Sequence, residues 1–291
     1  TSIPPIPWSA LRWCATGKAV CTLCPHRCAL EEGQRGRCRA RENRDGAVVC
    51  ANYGRVTALA LDPVEKKPLR RFRPGQAVLS VGSYGCNLSC PFCQNAEIAA
   101  AGEEVPTRYL SPAGLAQQAQ ALIPRGNLGV AYTYNEPLVG YEYVLDCAKE
   151  VRARGMENVL VSNGCISAER FAALLPWIDA ANIDLKGFHQ AWYGRLGGDL
   201  ETVKGNIALA VDSPCHLEVT TLVVPGENDG ETEMEALSSW LAGLNPDIPL
   251  HVSRFYPRHR MADRIPTPTA AVYRLAEVAR QRLRYVYTGN C

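Results

Sequence analysis

Long hydrophobic runs are missing from this chain: no apolar stretch reaches the roughly 18–20 residues that a membrane-spanning helix needs. The opening, Thr1 to Trp8, is proline-rich rather than basic and then apolar, so it does not read as a secretory signal. Internal repeats and low-complexity tracts are absent, which excludes repeat architectures. Basic residues interleaved with aromatic ones, the pattern of single-stranded nucleic-acid binding, are absent as well. Charge of one sign is scarce, with 31 Lys/Arg against 29 Asp/Glu. These absences lead to the expectation of a cytoplasmic protein with neither a membrane nor a nucleic acid as partner.

The 291 residues suit one α/β unit with a smaller appendage, and 47% hydrophobic residues are enough for a large core. The near-neutral total hides an asymmetry. Residues 1–75 carry 14 Lys/Arg against 6 Asp/Glu, whereas the remainder carries 17 against 23. A basic face of this kind is a solvated surface or an attractor of phosphate or of an acidic protein.

Residues 1–75 are irregular, with Gly, Pro, Arg and Cys throughout. Beyond them β-branched runs alternate with helical periods, the pattern of repeated βα units. Strands are expected at Ala77–Gly82, Leu128–Tyr134, Asn158–Ser162, Ala181–Leu185, Leu217–Val224 and Pro249–Phe255. Helices are expected near Ser111–Ile123, Leu138–Arg154, Ser167–Leu175, Leu200–Val211, Glu231–Leu241 and Thr269–Arg282, with Ser111 and Ser167 as N-caps. Six units make an incomplete (β/α)6 barrel on residues 76–291, preceded by a Cys-rich extension on residues 1–75. Chemistry in such folds sits at the carboxyl ends of the strands.

Thirteen cysteines are many for such a protein, and seven fall into two tight groups, which favours metal over disulfides. The other six, Cys14, Cys50, Cys147, Cys165, Cys215 and Cys291, are scattered and read as thiols of the core by default. Cys86, Cys90 and Cys93 follow the first strand with C-x3-C-x2-C spacing. Three thiolates from one loop suit an iron–sulfur cluster with one open iron; zinc and free thiols are the alternatives that spacing leaves. Cys21, Cys24, Cys28 and Cys38 place four thiols within 18 residues, enough for a structural zinc site or a complete auxiliary cluster. His26 lies among them as a substitute ligand.

The three-cysteine loop, with Phe92 before its last cysteine, resembles the cluster motif of the radical S-adenosylmethionine (SAM) superfamily. That resemblance implies a [4Fe–4S] cluster whose open iron is chelated by SAM. It also implies an external one-electron reductant of flavodoxin or ferredoxin type, and a 5′-deoxyadenosyl radical that takes hydrogen from a substrate. Thr133-Tyr134-Asn135-Glu136-Pro137 resembles the family's G-G-E-P segment, with Asn135 and Glu136 in the SAM-binding places. Ser162-Asn163-Gly164 and Asp184-Leu185-Lys186 resemble the T-N-G and D-L-K segments of glycyl-radical-enzyme activases, and Val223-Val224-Pro225-Gly226 resembles V-P-G. Phe92, Ser162, Asn163, Asp184, Lys186 and Val224 are thereby implied SAM contacts. Where activases read L-D-T-N-G this chain has Leu160-Val161-Ser162-Asn163-Gly164, so their monovalent-cation site is not carried over.

The segment Asp62-Pro63-Val64-Glu65-Lys66-Lys67-Pro68-Leu69, with His251 to Arg258, is similar to the radical SAM component of the AmmeMemoRadiSam system, a pyruvate formate-lyase activating enzyme-like subfamily. This similarity implies protein partners and makes Glu65, Lys66, Lys67, His251, Arg254 and Tyr256 substrate-side candidates. Lys66 and Lys67 read equally well as a surface charge pair, and His251 as a satisfied strand residue. The substrate is then a protein glycine, or a side chain or small molecule of that system. The competing class is a metal-stapled binding module without catalysis.

Overall fold

The structure, a computed structural model, describes residues 18–291. Thr1–Trp8 and Cys14 lie outside the described residues. Eight strands form one sheet in chain order: β1 (Ala58–Pro63), β2 (Ala77–Gly82), β3 (Asn127–Tyr132), β4 (Glu157–Ser162), β5 (Ala180–Asp184), β6 (His216–Val223), β7 (Leu250–Arg254) and β8 (Val286–Gly289). β1 runs antiparallel to β2, and β2 to β8 are parallel. All six residues of β3 are buried, as a parallel strand covered on both faces must be. Among the described residues β1 does not pair with β8, so the barrel stays open.

The six expected strands are present, each within two residues of its expected ends. Two strands of this sheet were not expected. β8 is only four residues long, and β1 carries an Asp and a Pro, residues disfavoured in strands; it is an edge strand, where a missing amide donor costs little. β1 lies before residue 75 in the chain and pairs with β2 over Ala58–Pro63.

Helices α1 (Pro112–Ala121), α2 (Tyr141–Ala153), α3 (Ala168–Leu174), α4 (Gln190–Leu196), α5 (Leu200–Val211), α6 (Glu231–Leu244) and α7 (Thr269–Arg280) fill the crossovers. Ser111 caps α1, its hydroxyl accepting from Gly114 N at 3.1 Å, with Pro112 at the first turn. Ser167 occupies the N-cap place of α3 but makes no side-chain cap; its amide donates instead to Leu23 O at 2.9 Å. α4 was not expected. It buries Trp192, Tyr193 and Leu196 and ends on Gly197 at φ 74°, the left-handed cap that glycine adopts without strain.

Two apolar layers hold the barrel. The larger lies between sheet and helices; the smaller lines the amino ends of the strands, where Val64 and Leu69 pack on Val78, Leu128, Val159 and Ala180. Residues 64–76 therefore plug the end of the barrel opposite the cysteine loop. Glu218, buried on β6, fastens the plug by accepting from the amides of Arg70 and Arg71 at 3.0 and 2.8 Å. It also bonds His216 at 3.0 Å and His251 at 2.6 Å. Burial alone would raise this carboxyl, but those four partners outweigh it and hold it at about 2.

The N-terminal region turns on a hairpin, Arg41–Arg44 with Ala47–Cys50, whose Asp45-Gly46 corner has both φ angles positive. It is fastened to α2 by the Arg41–Glu142 ion pair and by Tyr53 Oη donating to Asp146 at 2.7 Å. Among the described residues no helix is long and apolar enough to cross a membrane.

Candidate active site

At the carboxyl ends of the strands lies a cavity of about 280 Å³. The loop after β2 brings Cys86, Cys90, Phe92 and Cys93 to it; β3 leads in Tyr134, Asn135 and Glu136; β4 ends on Ser162 and Asn163, and β5 on Asp184 and Lys186. Ser253 of β7 and Asn290 complete the far wall.

The cysteine loop is held by backbone and amide bonds rather than by packing alone. Gly85 has φ 91°, and a Cβ there would overlap the carbonyl oxygen of Cys38. Asn135 accepts from Ser83 N at 3.0 Å and donates to Tyr84 O and Gly85 O at 3.2 and 3.0 Å, so its amide is spent on shaping the loop. Phe92 stacks on Trp192 with ring centres 5.9 Å apart and shares a small core with Val224. Val224 does not line the cavity; it packs in the layer behind Phe92. Burial raises the Cys90 thiol to about 11, with the nearby Lys186 ammonium pulling the other way, and burial raises Cys86 well above its ordinary value.

Glu136 is buried and accepts from Ser162 Oγ at 2.8 Å, Leu138 N at 3.0 Å and Asn163 N at 2.8 Å. Burial raises its carboxyl to about 7, against the pull of those donors. Asn163 bridges two segments: its Nδ2 donates to Asn87 Oδ1 at 2.9 Å and lies 3.7 Å from Cys86 Sγ. Lys186 Nζ lies 2.9 Å from Asp184 Oδ2. Burial would lower Lys186, but the Asp184 charge outweighs it and keeps the ammonium protonated.

The substrate-side candidates do not converge here. Glu65 accepts from Gly75 N at 2.6 Å inside the plug, and Lys66 is an exposed partner of Asp62 at 3.4 Å. His251 is the satisfied strand residue, bonded to Glu218 and stacked on Tyr287 at 5.4 Å. Arg254 donates to Thr267 O at 2.7 Å and to Tyr256 Oη at 2.9 Å on the outer rim. None of them lines the cavity; Tyr256 reaches its wall by donating to Asn290 O at 3.2 Å, and Lys67 through Tyr134. Lys67 is buried, 2.9 Å from Asp62 and 4.8 Å over the ring of Tyr134, whose hydroxyl donates to Asp62 at 2.8 Å.

Sequence reasoning missed Tyr134, which lines the cavity at φ 74°, a strained region for a bulky residue. The signal was Gly82 opposite it, where a Cβ would come within 2.9 Å of the ring.

Cys21, Cys24, Cys28 and Cys38 do face one another around a separate cavity of about 10 Å³, room for one water. Cys165, counted among the scattered thiols, lines it as well. Burial, followed by the neighbouring thiols, pushes Cys24 up to about 12. His26 is bonded to Asn87 O at 2.8 Å. Among the described residues no three His, Cys, Asp or Glu side chains are grouped closely enough, as they stand, to hold one metal ion. The ligands of a four-iron cluster need no such convergence, because each thiolate binds a different iron.

Residues 80–237 match the family described as the Radical SAM superfamily. The chain belongs to that superfamily. It is 38% identical over 276 residues to the uncharacterized protein MJ0808 of Methanocaldococcus jannaschii, a match covering 94% of this chain and 81% of the relative. The fold is shared with SuiB of Streptococcus suis, at TM-score 0.54 and 13% identity over 72% of this chain and 48% of SuiB. It is shared too with TYW1 solved with a lysine–pyruvate adduct, at TM-score 0.51 and 14% identity over 77% and 83% of the two chains. Radical SAM proteins are enzymes that use SAM and a [4Fe–4S] cluster and draw on an external reductant, which establishes the class of chemistry for this chain.

Proposed function

We propose that Cys86, Cys90 and Cys93 hold the [4Fe–4S] cluster and that SAM binds in the 280 Å³ cavity beside it. The observation that carries this reading is the convergence of three thiols with Glu136, Asn163, Asp184 and Lys186 on one cavity. The donor set fits. Three sulfurs leave one iron for a ligand from SAM, and among the described residues no fourth cysteine lines the cavity. When bound, the cluster and SAM supply a reductively generated 5′-deoxyadenosyl radical.

The residues of the chain bind and orient. Lys186 is a buried ammonium suited to the carboxylate of SAM, and Asp184 and Ser162 offer oxygen acceptors to hydroxyl groups. A cationic ligand in the cavity would favour the ionised form of Glu136, and Asp184 adds a carboxylate paired with Lys186. Asn135, Phe92 and Val224 act one step back, by fixing the loop.

The substrate reading is of activating-enzyme type, a hydrogen taken from a partner polypeptide of the AmmeMemoRadiSam system. The unpaired edges of β1 and β8 support it, because they leave the cavity wall open at the side. A small molecule or side chain of that system is the second reading, supported by the modest cavity volume. Anaerobic reconstitution followed by SAM and dithionite should yield 5′-deoxyadenosine, and Cys93→Ala should lose both iron and product. No nucleoside from the wild type, together with unchanged iron in the variant, refutes the assignment.

A further inference from the structure

The three thiols have a second side. Cys86, Cys90 and Cys93 also border a second cavity of about 340 Å³, whose lining includes neither Glu136 nor Asp184. Its rim is cationic: Arg37 and Arg39 come from the N-terminal region, His259 and Arg260 from the segment after β7. All four side chains are exposed. Two of them rest on the cysteine loop itself, since Arg37 donates to Ser89 Oγ at 3.2 Å and Arg260 to Ser89 O.

These charges are uncompensated. Among the described residues none of Arg37, Arg39 and Arg260 forms an ion pair, whereas the nearby Arg35, Arg195 and Arg264 each have a glutamate. Glu104 is the acidic group facing Arg39, and its carboxyl is held down chiefly by the amide of Gly102 rather than by an ion pair. A rim of free guanidinium groups around a thiol-walled opening is complementary to carboxylates on a partner surface, because guanidinium binds them with paired donors and little desolvation cost. Among the described residues the lining of this cavity contains His259 but no Phe, Tyr or Trp on which nucleic-acid bases stack.

Resting on the cluster assignment above, we propose that the rim of Arg37, Arg39, His259 and Arg260 is the docking face for an acidic one-electron carrier protein. The carrier is oxidised by one electron, the cluster is reduced by one, and no bond forms between the proteins. Arriving from this side, the carrier comes within reach of the cluster without crossing the SAM cavity. The basic excess of residues 1–75 thereby acquires a use: it carries two of the arginines over the cysteine loop.

Binding and turnover test this separately. An acidic flavodoxin, labelled with ¹⁵N and titrated with the protein, should show broadening confined to its acidic surface. The affinity should fall about tenfold in Arg37→Glu/Arg39→Glu, and steeply for wild type between about 50 and 300 mM salt. Flavodoxin-supported formation of 5′-deoxyadenosine should fall with it, while the dithionite-supported rate and iron content stay unchanged. Arg39→Glu alone, whose side chain makes no bond to the loop, should show the same direction. Equal flavodoxin affinity in wild type and both variants, or salt-independent binding, overturns the docking face, as does tight binding of a single-stranded RNA oligomer without any of flavodoxin. Loss of the dithionite-supported reaction in the wild type refutes the cluster assignment instead, and the titration still decides the docking.

Discussion

Gly85 and Tyr134 show how single positions set this site. Gly85 turns the cysteine loop at φ 91° with no room for a side chain beneath it, so Gly85→Ala must move either Cys38 or the loop. We expect this variant to lose about 1–3 kcal/mol of stability and to retain less iron after reconstitution, read by thermal unfolding and iron analysis. Tyr134 is held in its left-handed conformation by Asp62, which Lys67 in turn neutralises. Tyr134→Phe should cost about 1 kcal/mol, the net worth of one hydrogen bond, and leave iron binding intact. Glycine at position 82 could be read from the sequence, but its meaning lay in a ring more than 50 residues away.

Among the elements, the plug of residues 64–76 has a structural place that its sequence did not announce. Its Lys66, Lys67 and Glu65 looked like substrate residues because the segment is so distinctive, yet it closes the amino end of the barrel. One of its fastenings is a buried carboxylate, beside Asn182 donating to Pro68 O at 2.8 Å. Glu218 sits at about 2 in the folded protein, below the ordinary 4.5, so its contribution is complete above about pH 4.5 and is lost as pH falls towards 2. That shift corresponds to about 3 kcal/mol. Urea unfolding of wild type should therefore weaken steeply across this window, and Glu218→Gln should start less stable at pH 7 and flatten the slope. The helices were more legible than the strands at the edges, since amphipathic period spans ten or more residues while β8 offers only four.

At the level of the whole molecule, the N-terminal region is joined to the barrel by a set of polar contacts and by Leu23 and Val56 in the shared core. Arg41 and Glu142 are the most buried ionic contact between them, joined by Tyr53–Asp146 and by Asn52 donating to Tyr84 O at 2.9 Å. Arg41→Ala leaves Glu142 without its partner and should cost about 3 kcal/mol. Hydrogen exchange should then rise across residues 18–57 ahead of the barrel strands. The sequence by itself determined the parallel βα order, the three-thiol loop and the segments that meet it, because burial of alternating strands and ligand spacing along a loop are local properties. The tertiary structure alone decided that Cys165 joins the four N-terminal thiols, that the K-K-P-L segment is a plug, and that Arg37 and Arg39 stand over the far side of the cysteine loop. Those contacts join residues far apart in the chain, and no local period records which distant surfaces will be brought together.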